Sequence, residues 1–373
     1  MNRALISLIV LLSSFNALHG QFSIASNNKS LQFSGYIVGF YNQRFYDNDL
    51  ASKDKNRFNL DFAVISVQGV TSKRVRYDLQ VNLPAIYATD ASDEFLMQAT
   101  TEFRNLQNNF SVQVGYDKLP FSWASMLAQN ESAFMQRAEV VRGKTFNRRD
   151  MGITITKGFL NKRLLLIAGA YTGEGMQSII GNNDPNGKLL YAGRVEASFP
   201  ARYRNEEVDM NRTAIPRVCI GADGSYSEKT ITTGTDYPML TVNGKKTSYS
   251  GDITASWKGF SAHLETVSFV IHPNDSTVLL GKPTDYYLAR GVIAQCNYYS
   301  PKLKSIFALR YDEFNPNDLV LGDNRETVSA AYNYLIDGMN SSIKIHYFHR
   351  LQAKDALAAW SEDQIRIGWQ VKF

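Results

Sequence analysis

The feature that most restricts how this chain can fold is a two-residue alternation of apolar and polar side chains that returns along its whole length. From Val75 to Leu83 the apolar residues are Val75, Tyr77, Leu79, Val81 and Leu83, and Arg74, Arg76, Asp78, Gln80 and Asn82 occupy the alternate positions. Successive side chains of an extended chain point to opposite faces, so this segment is a strand with one apolar and one polar side. The same pattern returns at Phe110, Val112, Val114 and Tyr116, at Phe307, Leu309 and Tyr311, and at Val328, Ala330, Tyr332 and Tyr334.

Carried along the chain, the alternation predicts sixteen strands: 31–46, 58–70, 73–83, 93–106, 109–117, 149–157, 162–172, 187–199, 216–228, 246–257, 259–271, 284–299, 302–313, 325–336, 340–350 and 361–373. Most reach the roughly 9–11 residues that a tilted strand needs to cross a bilayer. Long polar links (47–57, 84–92, 118–148, 173–186, 229–245, 272–283, 314–324 and 351–360) are separated by short ones such as Thr71-Ser72, Gly158 to Asn161, Lys258 and Ser300-Pro301. A secreted sandwich shares the local alternation, but strand length, strand number and loop asymmetry together favour an all-β fold, a membrane-spanning antiparallel β-barrel with short periplasmic turns and long outer loops. The link 200–215 is the irregularity, long and charged where a short turn is expected. With a mean hydropathy of −0.26 and no run after residue 20 that approaches the roughly 18 apolar residues of a membrane helix, a helical membrane protein is excluded.

Residues 1–20 carry Arg3, an apolar stretch Ala4 to Leu12 and a run ending Ala17-Leu18-His19-Gly20, which reads as a secretory signal peptide cleaved before Gln21; residues 21–373 then form a single barrel domain. No cysteine lies near the cut, which disfavours a lipid anchor. Removing Arg3 leaves 39 Lys+Arg against 35 Asp+Glu, a net +4 that is too small to point to nucleic acid. Cys219 lies on the face opposite Val218 and Ile220, whereas Cys296 shares the face of Val292 and Ala294, so the two thiols belong on opposite sides of the wall and form no disulfide.

The last strand alternates Ile365, Ile367, Trp369, Val371 and Phe373 with Arg366, Gly368, Gln370 and Lys372, and stops on the aromatic ring. This ending resembles the signal by which barrel assembly machinery recognises outer-membrane barrels, and it assigns that role to Trp369 and Phe373. The run Val114-Gly115-Tyr116-Asp117-Lys118-Leu119-Pro120-Phe121, followed by Glu131, Phe134 and Arg137 and then by Arg149-Asp150-Met151-Gly152-Ile153, resembles the phosphate-selective porin O and P family. The resemblance implies a homotrimeric, anion-preferring channel of a Gram-negative outer membrane, narrowed by an inward-folded third loop and in contact with membrane lipid and lipopolysaccharide. Phosphate-preferring members carry clustered basic side chains on that loop, whereas Trp123 to Phe134 here contains no Lys or Arg.

The charge pattern agrees with that expectation. In 118–148, Lys118, Arg137, Arg142, Lys144 and Arg148 stand against Glu131 and Glu139, a balance of +3. Folded into a confined lumen, these cations would attract small anionic solutes, including phosphate-type anions. Left outside, the same loop would meet lipopolysaccharide or water. Arg74 and Arg76, with Arg104, Arg310, Lys344 and Arg366, are expected to add positive charge to the lumen wall, offset by Asp61, Asp78, Glu94 and Glu102.

Catalysis finds no support in the histidines. His346 and His349 are three apart on a strand and face opposite ways, and His263 reads as a wall pair with Glu265. Neither metal nor cofactor is expected. The other non-enzymatic reading is a scaffold subunit of a heteromeric outer-membrane assembly, such as a secretion or barrel-insertion machine.

Overall fold

In the computed structural model the described residues are 22–26, 29–45, 56–87, 95–105, 107–142, 146, 148–179, 187–203, 206–228, 230–231, 242–275, 279, 281–322, 324–351 and 363–373. Residues 1–20, expected from sequence to be a signal peptide, together with Lys144, Glu94 and much of the outer links, lie outside them. The strands are β1 (Phe22–Ser26), β2 (Lys29–Phe45), β3 (Asn56–Ser72), β4 (Val75–Asn82), β5 (Leu96–Asn105), β6 (Phe110–Lys118), β7 (Arg149–Phe159), β8 (Leu164–Tyr171), β9 (Leu190–Phe199), β10 (Arg217–Ser227), β11 (Thr230–Ile231), β12 (Val242–Trp257), β13 (Phe260–Pro273), β14 (Tyr287–Ser300), β15 (Ser305–Asn315), β16 (Arg325–Asp337), β17 (Ser341–Leu351) and β18 (Asp363–Lys372).

β1 and β11 are short flanking pieces on β2 and β12, and the other sixteen form one closed antiparallel barrel. Closure is made by β18 against β2, in register from Asp363↔Phe45 to Lys372↔Tyr36, and Phe373 and Gly35 exchange both backbone hydrogen bonds at 2.8 and 2.9 Å. A closed barrel leaves no unpaired edge, which is what lets a sheet sit in hydrocarbon. Each of the sixteen strands expected from the alternation is present.

The two faces of β18 show why the pattern works. Ile365, Ile367, Trp369 and Val371 are exposed to the bilayer side, whereas Gln364, Arg366 and Gln370 are buried in the lumen. Trp369 pairs in register with Gly39 and its ring lies over that glycine, and the Phe373 ring covers Gly35 likewise, so the seam is sealed by aromatics on glycines that have no side chain to clash. At the turn end the connections are tight. Lys258 and Gly259 have φ of 51° and 94°, the left-handed geometry of a two-residue hairpin turn. Cys219 is buried on the lumen side and Cys296 is exposed on the lipid side, and both are free thiols.

The lumen is not uniformly polar. On β13 the inward residues Ser261, His263 and Glu265 give way towards the loop end to Val267, Phe269 and Ile271; on β14, Tyr287, Ala289 and Ile293 follow suit. These apolar side chains pack on Leu119, Phe121, Ala138, Val140, Val141 and Phe146 of the segment between β6 and β7. That segment therefore folds into the barrel because it buries an apolar face there, at roughly 25 cal/mol per Å² removed from water.

Candidate pore constriction

The inward segment begins at Leu119. Ser122 caps a single helical turn, α1 (Trp123–Met126), its hydroxyl accepting from Ser125 N at 3.2 Å. Short 3-10 turns follow at Gln129–Glu131 and Glu139–Val141. A segment with so little regular structure must find partners elsewhere for its buried backbone groups. Side chains of the far wall supply them. Asp223 accepts from Ser122 N at 3.1 Å, Glu265 from Ala124 N at 3.0 Å, His346 Nδ1 from Met135 N at 3.0 Å and Asp312 from Glu139 N at 2.9 Å. In the other direction, Asn333 donates to Ala133 O at 2.8 Å, Lys344 Nζ to Ser132 O at 3.1 Å, Arg310 Nη1 to Gln136 O at 3.0 Å and Gln370 to Asn130 O at 2.9 Å.

Aromatic contacts set the height of the loop. The Trp123 ring lies 4.3 Å from that of His263, which is paired with Glu265 at 3.1 Å; Phe134 sits under the Arg310 guanidinium at 4.4 Å. Behind them Arg194, buried in the wall, is bonded to Glu196 at 2.7 Å, Asp223 at 2.5 Å and Asp252 at 2.6 Å, so the carboxylate that holds Ser122 N is itself fixed.

The loop thus fills the half of the lumen bounded by β10 to β17 and leaves a passage of about 1170 Å³ against β18 and β2 to β8. It runs from Arg57 near the loop ends of the strands to Asn340 and Lys372 at the turn ends. Its wall side presents Gln68, Gln80, Gln98, Gln113, Thr154 and Thr156. Eight basic residues line it (Arg57, Lys118, Arg137, Arg142, Arg148, Arg149, Arg366 and Lys372) against four acidic ones (Asp61, Asp117, Glu131 and Asp337), an excess of 8 − 4 = +4.

The cations of the loop are not equivalent. Lys118 Nζ donates to Met126 O at 2.7 Å and Leu127 O at 3.0 Å; Arg137 donates to Ala124 O and Leu127 O, both at 2.6 Å. Two cationic groups therefore meet on one carbonyl oxygen, held by neutral acceptors, and neither makes an ion pair among the described residues. Arg148 and Arg149 stand beside them. Burial first, and then these two neighbouring guanidinium groups, push Arg137 well below the ordinary arginine range, with Glu207 acting in the opposite sense. Arginine keeps its proton in proteins, so the displacement reflects first the cost of burying this charge and then that of gathering like charges beside it, both of which a nearby anion relieves. Arg142 differs, because Glu139 binds it at 2.5 Å and also binds Arg325 at 3.0 Å.

Of the residues expected from sequence to line a constriction, Lys118, Arg137, Arg142 and Arg148 are brought together in the passage, and Lys144 lies outside the described residues. Arg74 is a correction. It sits in the exposed turn between β3 and β4, not on the lumen wall, because β3 runs on to Ser72 and β4 begins only at Val75, two residues later than the alternation suggests. Arg76 does face inward, 2.9 Å from Gln68 and 3.5 Å from Asp78, but it does not line the passage. Arg310 and Lys344 face the lumen as expected, yet they serve the loop's carbonyls on the filled side rather than the open one. The link 200–215 is a second surprise, since its described part from Glu206 enters the lumen beneath the loop and does not disturb the strand register. Sequence reasoning singled out neither Arg57 nor Arg149 as a lining residue. Arg149 had a signal, because pairing of β6 with β7 sets it opposite Lys118. Like charges facing each other across a ladder weaken it, so they mark a place where something else is gained.

The profile of the family described as phosphate-selective porin O and P matches residues 35–224, just over half of the chain. The chain belongs to this family. It is a porin, a β-barrel channel, and the family seen in the motif around Lys118 and Arg149 is the one the whole profile supports. Among solved structures, the anion-selective porin from Comamonas acidovorans is similar at TM-score 0.58 and 10% identity, covering 92% of this chain and 100% of its own. The outer membrane channel DcaP of Acinetobacter baumannii gives TM-score 0.59 at 12% identity, with 94% and 99% covered. The trimer form of OmpT from Vibrio cholerae gives 0.59 at 9% identity, with 93% and 100% covered. These likenesses concern the fold. A comparison with curated proteins returns no match.

Proposed function

We propose that this porin is a passive outer-membrane channel for small anionic solutes, phosphate-type anions among them, and that the group formed by Lys118, Arg137, Arg148 and Arg149 sets its preference. The observation that carries this reading is the pair of cations held on the single carbonyl of Leu127 by neutral acceptors. Confined in a narrow aqueous passage, such charge raises the local concentration of anions and depletes cations. The similarity to an anion-selective porin supports the reading, as does the +4 excess along the passage. The exposed apolar side chains on the outer face of the strands fit residence in a Gram-negative outer membrane after insertion by barrel assembly machinery, and the trimer form of a similar barrel supports a homotrimer.

The test is reversal potential. Purified protein in a planar bilayer under a KCl gradient should reverse on the anion side of zero, and added phosphate should reduce the chloride current by occupying the cation group. A wild-type channel with no anion preference would refute the selectivity, and a folded barrel with no conductance would refute the open passage.

A further inference from the structure

We infer that the link between β9 and β10 is a wedge, inserted from the turn end of the barrel, that positions the constriction loop, and that Glu207 is the positioning residue through which it acts. The inference rests on the channel reading above and adds to it a second, separate element that controls the width of the passage.

A connection at the turn end of a barrel has no need to enter the lumen, and the other connections at that end are short hairpin turns. This one buries Glu207, Val208 and Asp209 at 8, 5 and 3% exposure. It is fastened to the wall from several sides. The Glu207 carbonyl accepts from Ser261 Oγ at 2.8 Å and from Asn297 Nδ2 at 2.9 Å, on β13 and β14 respectively. Asp209 accepts from Gly259 N at 2.9 Å and from Thr213 N at 3.0 Å, which ties the link to the neighbouring hairpin. Val208 joins an apolar cluster with Phe134, Ile306, Ala308 and Leu335.

With its backbone fixed in this way, Glu207 offers its carboxylate upward. Oε1 accepts from Gln295 Nε2 at 2.9 Å, and Oε2 accepts from the backbone N–H of Ala133, the fully buried residue at the bottom of the constriction loop. The adjacent residue Phe134 shares the apolar cluster of Val208, so the link meets consecutive loop residues with one polar contact and one apolar cluster. A buried N–H without a partner is unfavourable, and the carboxylate therefore determines where Ala133 can lie. From there the loop runs only four residues to Arg137, one of the two cations on Leu127 O. Glu207 is near enough for its own charge to act on that guanidinium. The same side chain thus holds the loop in place and moderates the positive field from behind.

Three variants separate these roles, each checked for folding by heat-modifiable gel mobility and then recorded as single channels in KCl. Glu207→Gln keeps an oxygen that can accept from Ala133 N and removes the charge, and the Gln295 amide turns over so that its oxygen accepts from the new amide nitrogen. It should keep the wild-type unit conductance and a quiet open level, with the anion to cation permeability ratio raised roughly twofold. Glu207→Asp keeps the charge on a shorter arm that falls short of Ala133, and Glu207→Ala removes both features. Both should release the loop, seen as open-channel noise increased roughly twofold or more and a changed unit conductance. If Glu207→Ala fails to fold, Glu207→Asp carries the test. Wild-type conductance and noise in Glu207→Asp, or noise in Glu207→Gln equal to that in Glu207→Ala, would overturn the positioning role. A wild-type barrel that does not conduct would refute the channel reading itself and is recognised before any variant is compared.

Discussion

Lys118 and Arg74 are both single positive charges that the sequence pattern places on the lumen side, and the structure separates them by the length of the barrel wall. Neutralising each in turn tests the whole account of selectivity. Lys118 lines the passage, whereas Arg74 lies in a turn whose carbonyl is bonded to Arg104 N. Arg104 is in register with Ser111, and Lys118 lies 118 − 111 = 7 residues further along β6. At about 3.3 Å per residue the two levels are about 23 Å apart. A permeant ion passing at about 7 Å from Lys118, in an effective dielectric of about 40, feels about 1.2 kcal/mol, which screening over a Debye length of about 8 Å reduces to about 0.5 kcal/mol. The term has opposite signs for anion and cation, so the permeability ratio should fall by about 1 kcal/mol, or about fivefold, in Lys118→Gln. The glutamine amide can still donate to Met126 O, which keeps the loop anchored. For Arg74→Gln, a separation of nearly three Debye lengths leaves about a twentieth of the field before distance is counted, and the ratio should stay within about 10% of wild type. The assay is reversal potential in a KCl gradient at two ionic strengths, with the Lys118 effect shrinking at higher salt. Equal shifts in the two variants would mean that total charge and not the constriction governs selectivity. No shift in Lys118→Gln would remove the cation group from the mechanism.

The remaining expectations concern folding and packing. Trp369→Asp places a carboxylate on the lipid face and uncovers Gly39, and it should lower folded yield in membrane extracts more than Phe373→Asp, which lies at the membrane edge where a charge is less costly; unchanged heat-modifiable mobility in both would count against the seam. Alkylation of denatured protein without reductant should add two labels by mass, because Cys219 and Cys296 face opposite sides of the wall, and a protein carrying no label would show that they are bridged. Phe269→Ala removes a fully buried ring from the apolar contact between β13 and the loop; a loss of about 3–5 kcal/mol is expected from that contact, seen as a noisier channel in a barrel that still folds, and a steady wild-type current would refute the packing account.

Much of the barrel was legible in the residues, because one face of every strand must meet hydrocarbon and the other must not. That requirement forces period two, and it predicts all sixteen strands and the inward or outward direction of Cys219, Cys296, His346 and His349, whereas the pairing of β18 with β2 that closes the barrel was left to the tertiary structure. The motif around Lys118 and Arg149 also identified the family. What the alternation could not express is how the lumen is divided. A charged lumen residue gives the same pattern whether it lines water or bonds a folded-in segment, so Arg310 and Lys344 read like Arg366 until the loop's carbonyls were placed beside two of them. The signal that was present lay in the exceptions, Val267, Phe269 and Ile271, which are apolar on the side that should be polar and so mark where the loop docks. The path of the loop, the meeting of Lys118 and Arg137 on Leu127 O, and the entry of Glu207 from the opposite end join residues far apart in the chain. They depend on closure of the barrel, which alone brings β10 to β18 around the segment that follows β6.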